Sequence, residues 1–273
     1  MKTKIFVCSN SAIDYVSHNS NISPIPVRII FSDEEQYEDY IDFSTDAFYN
    51  RIRLDKKARV RTEFKNYSDI SDSIQKAKKQ GYEQVLFIIP PKDFSNLYVS
   101  ISIAISENKD ILCHIYNADT ILYPLAYMAI EANNMFTKGA SLDDVIKRLD
   151  FINKNHFICF FTHKYNESRL AFNKNYKKGK VKVLENGELV TLENERGLPG
   201  YKKLLKLLDI EYDDREIIPF LLYTSKSSRY VELLEEDLLA INPIFKKLKM
   251  FPIAPAIGYQ LGPNTIGVGF IYK

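Results

Sequence analysis

The sequence has no tryptophan, and only three cysteines, four histidines and four methionines in 273 residues. Cys8, Cys113 and Cys159 are odd in number, far apart and set in apolar runs. They read as core thiols of a cytoplasmic protein, not as a disulfide framework or metal ligands. His18, His114, His156 and His163 share no ligand spacing, so no metal site is expected. Glycine is scarce too: four of the ten glycines, Gly258, Gly262, Gly267 and Gly269, fall in one C-terminal stretch. No glycine-rich loop with phosphate-cradling spacing follows an apolar run, which removes support for a nucleotide fold and leaves no cofactor expected. Excess charge is also lacking, at +2 from 37 basic and 35 acidic residues, which argues against nucleic-acid binding driven by bulk charge. No apolar run approaches the length of a membrane span. Met1-Lys2-Thr3-Lys4 leads only into Ile5-Phe6-Val7, which reads as a first strand and not as a signal peptide. Nor is there a nucleophile with a paired base, or a carboxylate pair in a turn-bounded loop. The expectation is a protein that is not an enzyme.

What the chain does have is apolar bulk: 45% hydrophobic residues, with 18 tyrosines and 17 phenylalanines. That supports one large domain or two modest ones. Residues 4–8, 27–31, 85–89 and 111–116 read as strands. The continuous run Val85-Leu86-Phe87-Ile88-Ile89 fits a strand covered on both faces. Helical segments lie between them, with Ser44 as an N-cap, Ser68 or Asp69 opening a helix that Gly81 ends, and Ser141 capping another. This alternation predicts a parallel α/β layer in the first half.

After about residue 156 the pattern changes. Residues 157–161 form an apolar strand. Two alternating runs flank Asn186-Gly187, a hairpin signature. Residues 217–223 read as a strand that Pro219 would place at an edge. The run 253–273 reads as a terminal hairpin around Gly262-Pro263-Asn264. Its Gly267 and Gly269 mark a place where backbone or ligand comes close. The lysines of 173–182, with Tyr176 among them, read as a solvated loop. A contact with an acidic partner or RNA is the functional alternative.

Several short motifs occur in one order at compatible spacings. They are Ser9-Asn10-Ser11 after the first strand, Asp42-Phe43-Ser44 with Ala47-Phe48-Tyr49, Gly81-Tyr82-Glu83-Gln84-Val85, Lys138-Gly139-Ala140-Ser141-Leu142, Glu185-Asn186-Gly187-Glu188, and Leu261-Gly262-Pro263-Asn264 followed by Ile266-Gly267-Val268-Gly269-Phe270. Together they resemble the DegV family of bacterial fatty-acid-binding proteins, over nearly the whole chain. The resemblance implies a two-lobed α/β fold: a parallel α/β lobe over residues 1–155 and a mixed, hairpin-containing α/β lobe over 156–273. It implies a long-chain fatty acid held between the lobes, with its tail in an apolar tunnel and its carboxylate on hydroxyls and backbone amides. A fatty acid kinase subunit is the implied protein partner.

Carried over residue by residue, the ligand contacts are Ser11, Thr62, Lys92, Ser95, Arg169, Gln260, Gly262 and Asn264, together with the amides and hydroxyl of the 262–265 loop. Gln260 stands where the family has a histidine, and Asn264 replaces a glycine. Glu63 would bring a negative charge beside the carboxylate, and Lys92 a compensating cation. On this reading Lys92→Ala weakens fatty-acid binding and Glu63→Ser strengthens it. The alternative is a divergent, non-enzymatic paralogue whose ligand site is lost or repurposed and which serves as an interaction module.

Overall fold

Every residue of β1 (Thr3–Cys8) is buried, as is every residue of β6 (Gln84–Ile89). The two pair in parallel, with Ile5 opposite Leu86 and Val7 opposite Ile88. A computed structural model describes residues 1–31, 35–39, 44–55, 59–92, 96–162, 180–192, 200–210, 216–224, 228–241, 245 and 248–273. In it β1 also pairs with β2 (Ile22–Ile25) and β6 with β7 (Leu112–Asn117), giving a four-stranded all-parallel sheet of order β2-β1-β6-β7. Burial of β1 and β6 along their whole length is what a sheet covered on both faces requires. An antiparallel sheet of three strands lies in the same part of the chain, with β3 (Arg28–Phe31) between β4 (Gln36–Glu38) and β5 (Val60–Glu63).

The chain divides into two compact units. The first comprises residues 1–44 and 57–154, the second residues 45–56 and 155–273. Helix α1 (Thr45–Leu54) therefore belongs to the second unit, although it lies early in the sequence. The first unit carries α2 (Tyr67–Lys79), α3 (Leu97–Glu107), α4 (Tyr123–Thr137) and α5 (Leu142–Lys154). Asn66, not Ser68 or Asp69, caps α2: its Oδ1 accepts from the Asp69 amide at 3.0 Å. Gly81 follows the helix at φ +79, where a side chain would be strained. Ser141 caps α5, accepting from the Asp144 amide at 3.2 Å while its hydroxyl donates back to the Asp144 carboxylate at 2.6 Å.

The second unit is built on a six-stranded mixed sheet of order β10-β9-β8-β13-β11-β12. Its strands are β8 (His156–Thr162), β9 (Lys180–Glu185), β10 (Glu188–Leu192), β11 (Ile217–Tyr223), β12 (Lys249–Pro252) and β13 (Thr265–Tyr272). Helices α6 (Gly200–Ile210), α7 (Ser228–Ile241) and α8 (Pro255–Leu261) complete it. The β9–β10 hairpin turns on Asn186 at φ +48 and Gly187 at φ +82, the two positive values a type I′ turn needs.

Two expectations are corrected here. Residues 253–273 are no hairpin: α8 leads into β13, which runs antiparallel between β8 and β11. β11 is not an edge strand. Pro219 is tolerated because β12 pairs only with Phe220–Tyr223 and leaves that position unpaired on its side. Residues 60–63, Val-Arg-Thr-Glu, form β5, a short strand in which Arg and Glu alternate with Val and Thr.

Candidate functional site

In the parallel sheet the strand order reverses between β1 and β6. The chain passes from β1 outward to β2 and returns to β6 on the other side. Open α/β sheets bind ligands at such a switch point, outside the carboxyl ends of the strands. Here β1 runs into the 3-10 turn Ser9–Ser11, buried throughout. β6 runs into Pro90 and Pro91, and β7 into residues 118–122 ahead of α4. The Ala118 amide still donates to the Ile89 carbonyl at 2.9 Å, so this loop is anchored to the end of β6. Helix α4 packs on both β1 and the 3-10 turn.

Two side chains stand out at this edge. Asn10 is 1% exposed and Thr120 0%. Neither the amide of Asn10 nor the hydroxyl of Thr120 has a hydrogen-bond partner among the described residues, and the Asn117 Oδ1 is in the same condition. A buried polar group left without a partner costs about 1–3 kcal/mol. Backbone strain collects here as well. Ala12 has φ +59 and Leu122, which precedes α4, has φ +58, and such outliers gather at functional sites. Ser9, at the start of the turn, serves the structure: its hydroxyl accepts from the Val27 amide at 3.0 Å and donates to buried Asp39 at 3.5 Å. Burial and the charge of Asp39 push the neighbouring Cys8 thiol up to about 12, against the pull of the Asn10 and Ser9 amides.

Of the expected contacts in the first unit, Ser11 lies in this turn, buried, its hydroxyl accepting from the Ile13 amide at 3.3 Å. Lys92 follows β6 and is exposed. Thr62 lies on β5 opposite buried Ile29, and Glu63 lies opposite Arg28. Successive residues of a strand point to opposite faces, so Thr62 and Glu63 do not share one. Glu63 instead forms ion pairs with Arg61 and, at 3.7 Å, with Arg28. In the second unit Gln260 is exposed on α8 and its amide donates to the Tyr259 hydroxyl at 2.9 Å.

Gly262 ends α8 at φ +91. Its amide donates to the Gly258 carbonyl at 2.7 Å. The Thr265 amide donates to the Thr224 hydroxyl at 2.8 Å, and the Thr265 hydroxyl to the Leu261 carbonyl at 3.0 Å. Pro263 has no amide hydrogen. The donors expected of this loop are therefore engaged internally, apart from exposed Asn264. Ser95 and Arg169 lie outside the described residues. Asn10, Asn117 and Thr120 were missed as site residues. Their signal was polarity directly after an apolar parallel strand. Among the described residues no group of three His, Cys, Asp or Glu side chains is placed to hold a metal, and no helix is long and apolar enough to cross a membrane.

A parallel sheet with buried polar groups at its carboxyl edge, followed in sequence by a mixed sheet, defines a two-unit α/β protein. The chain belongs to the DegV family, whose model, described as that of uncharacterised DegV proteins, matches residues 2–167. Solved structures agree in fold. A DegV-family protein of Streptococcus agalactiae, described as fatty acid binding, is 17% identical with TM-score 0.82, over 100% of this chain and 99% of that one. DegV of Bacillus subtilis, described as a fatty acid binding protein, is 17% identical with TM-score 0.81, over all of both chains. A Thermotoga maritima protein described as revealing fatty acid binding function is 22% identical with TM-score 0.77, again over all of both. No curated protein matches the chain.

Proposed function

We propose that the chain is a non-catalytic binding protein for a long-chain fatty acid, with the ligand's polar end received at the carboxyl edge of the parallel sheet. The observation that carries this is the pair of buried side chains at the carboxyl edge of the sheet, Asn10 and Thr120, that have no hydrogen-bond partner among the described residues. A carboxylate is costly to bury without hydrogen bonds, and bonds to an ionised acceptor are the strong ones. The Asn10 amide and the Thr120 hydroxyl can both donate. The start of α4, three residues beyond Thr120, adds the positive end of a helix dipole. Family membership and the fatty acid binding described for its structural relatives supply the ligand class. A long acyl tail contributes about 0.8 kcal/mol per buried methylene.

The carried-over contacts remain part of this proposal unit by unit: Ser11, Thr62 and Lys92 in the first, Gln260, Gly262 and Asn264 in the second, with Ser95 and Arg169 beside them. A protein that hides an acyl tail while holding its carboxylate suits presentation to a fatty acid kinase, the partner we propose. Three free thiols fit a reducing compartment, the cytoplasm.

The experiment is native mass spectrometry of protein purified without detergent, followed by titration of delipidated protein with palmitate. A copurifying fatty acid, and at least tenfold weaker palmitate binding by Thr120→Val, are expected. Absence of both would overturn the proposal. A second reading, a paralogue with a repurposed site, draws on one observation: the Gly262 and Thr265 amides are already used within the second unit. It gains if palmitate does not bind at all.

A further inference from the structure

A cavity of about 560 Å³ lies in the first unit, toward the amino-terminal end of β1 and away from the carboxyl edge described above. That is within the usual size of a small-molecule site. Its cationic groups are Lys2, Lys4 and Lys76, and none of the described residues lining it is acidic. Lys4 and Phe6, two apart on β1, share one face of the sheet. The walls are completed by the segment around Ser20 and Ser23 and by α2 with Ser73 and Gln80.

Lys4 is the residue that needs explaining. It is 6% exposed. Its ammonium donates to the Ser20 carbonyl at 2.7 Å and stands 5.4 Å from the centre of the Tyr82 ring. Among the described residues no carboxylate pairs with it. Burial first, then the neighbouring charges of Lys76 and Lys2, hold its pKa below the ordinary lysine value. Lys2 donates to the Gln80 carbonyl at 3.2 Å and lies 4.3 Å from the Tyr82 ring. Two acids of the neighbouring segments are engaged elsewhere: Glu83 with the Lys2 backbone amide and the Met1 terminus, Asp110 with Lys78; Asp72, one turn before Lys76 on α2, does not line the cavity. Lys76 has an ordinary reason to be where it is, since cations in the last turn of a helix suit its dipole. A buried lysine on a central strand has no such reason. Removing a cation from water without an anion is unfavourable.

We infer that this pocket binds a phosphate monoester, its phosphoryl group on Lys4, Lys76 and Lys2 and its organic body against the serine hydroxyls and Phe6. A dianion matches a cavity lined by three lysines and no acid among the described residues, and charge-assisted hydrogen bonds of this kind are about twice as strong as neutral ones. The cavity exceeds what a bare phosphate fills, so the ligand carries a short polar body. The inference does not depend on fatty-acid binding at the carboxyl edge.

Calorimetric titration at fixed ionic strength, with inorganic phosphate, glycerol 3-phosphate and glucose 6-phosphate, tests it. The expected result is binding of an ester by wild type, at least tenfold weaker in Lys4→Met and in Lys76→Gln, and unchanged in Lys78→Gln, whose lysine is paired with Asp110. Lys4→Met keeps the apolar stem and removes an uncompensated charge, so it should melt no lower than wild type. Lys76→Gln, on a helix, keeps the test open should Lys4→Met misfold. Equal affinity for phosphate and ester would assign the site to free phosphate. Lysine-dependent binding only to phosphatidylcholine vesicles carrying phosphatidate would assign it to a lipid headgroup. No binding in any arm, or binding that none of the lysine changes weakens, overturns the inference.

Discussion

The Tyr49 hydroxyl fills the space where a side chain on Gly258 would begin: a Cβ built there would lie 1.7 Å from it. The same hydroxyl donates to the Ile253 carbonyl at 2.9 Å. One contact thus joins α1 to the start of α8. Gly258→Ala should destabilise the protein by about 1–3 kcal/mol through overpacking. Tyr49→Phe should cost about 1–3 kcal/mol because a buried carbonyl loses its donor. Urea denaturation of Gly258→Ala, of Tyr49→Ala and of the two combined gives the coupling. The double mutant should lose clearly less than the sum of the single losses; strict additivity would refute the contact.

Asn10→Leu should separate stability from function. Replacing a buried amide that has no partner among the described residues by an apolar group of similar size removes a desolvation penalty of about 1–3 kcal/mol. The unliganded variant is expected to melt above wild type and to bind palmitate at least tenfold more weakly. A variant that melts lower and binds equally well would show that Asn10 has a structural partner and no ligand role.

The register of β5 changes what Glu63 is expected to do. With Glu63 and Thr62 on opposite faces and Glu63 paired to two half-exposed arginines, Glu63→Ser should leave palmitate affinity within about twofold. It should alter stability by less than about 1 kcal/mol, as exposed ion pairs do. Thr62→Ala is the change expected to weaken binding. A large gain in affinity from Glu63→Ser would restore the view that its charge opposes the ligand.

Stability should fall in alkali because of two thiols, buried Cys8 and half-buried Cys113. Burial, with a contribution from Asp39, pushes Cys8 up to about 12. Burial, with Asp110, pushes Cys113 up to about 11. Above about pH 9 the unfolded chain releases these protons while the folded chain keeps them. Stability present below that pH is therefore lost as pH rises toward 11–12, by about 1.4 kcal/mol per pH unit for each thiol. Urea midpoints at about pH 8, 9.5 and 10.5 should drop less steeply in Cys113→Ala than in wild type.

The local features were legible because they are written in a few adjacent residues. Asn186-Gly187 sets its turn, Ser141 its cap, and residues 85–89 a strand buried on both faces. The failures were non-local. Residues 253–273 carry two apolar runs around a proline-containing turn, and nothing within them tells a hairpin from a helix feeding a central strand. Gly267 and Gly269 did mark a close approach, but of packing and not ligand. A Cβ on Gly269 would meet the Phe157 carbonyl at 2.2 Å, and one on Gly267 the Phe160 ring at 2.8 Å. The motifs pointed to hydroxyls, among them Ser11 in the turn that also carries Asn10. They did not reveal that Asn10 and Thr120 are buried, because burial depends on packing between elements distant in sequence, as of α4 on the Ser9–Ser11 turn.

The excursion of α1 into the second unit has a consequence for biosynthesis. Tyr49 leaves the ribosome 204 residues before Ile253, the residue it bonds. At about 5–20 residues per second that is a delay of roughly 10–40 s. During it the apolar side of α1, with Phe48 and Tyr49, has no native surface to cover it, while most of the first unit is already complete and free to fold. The nascent chain thus carries a solvent-exposed aromatic helix flanked by folding structure, a natural substrate for a holdase. A fragment of residues 155–273 should need the α1 peptide supplied in trans to reach its native state.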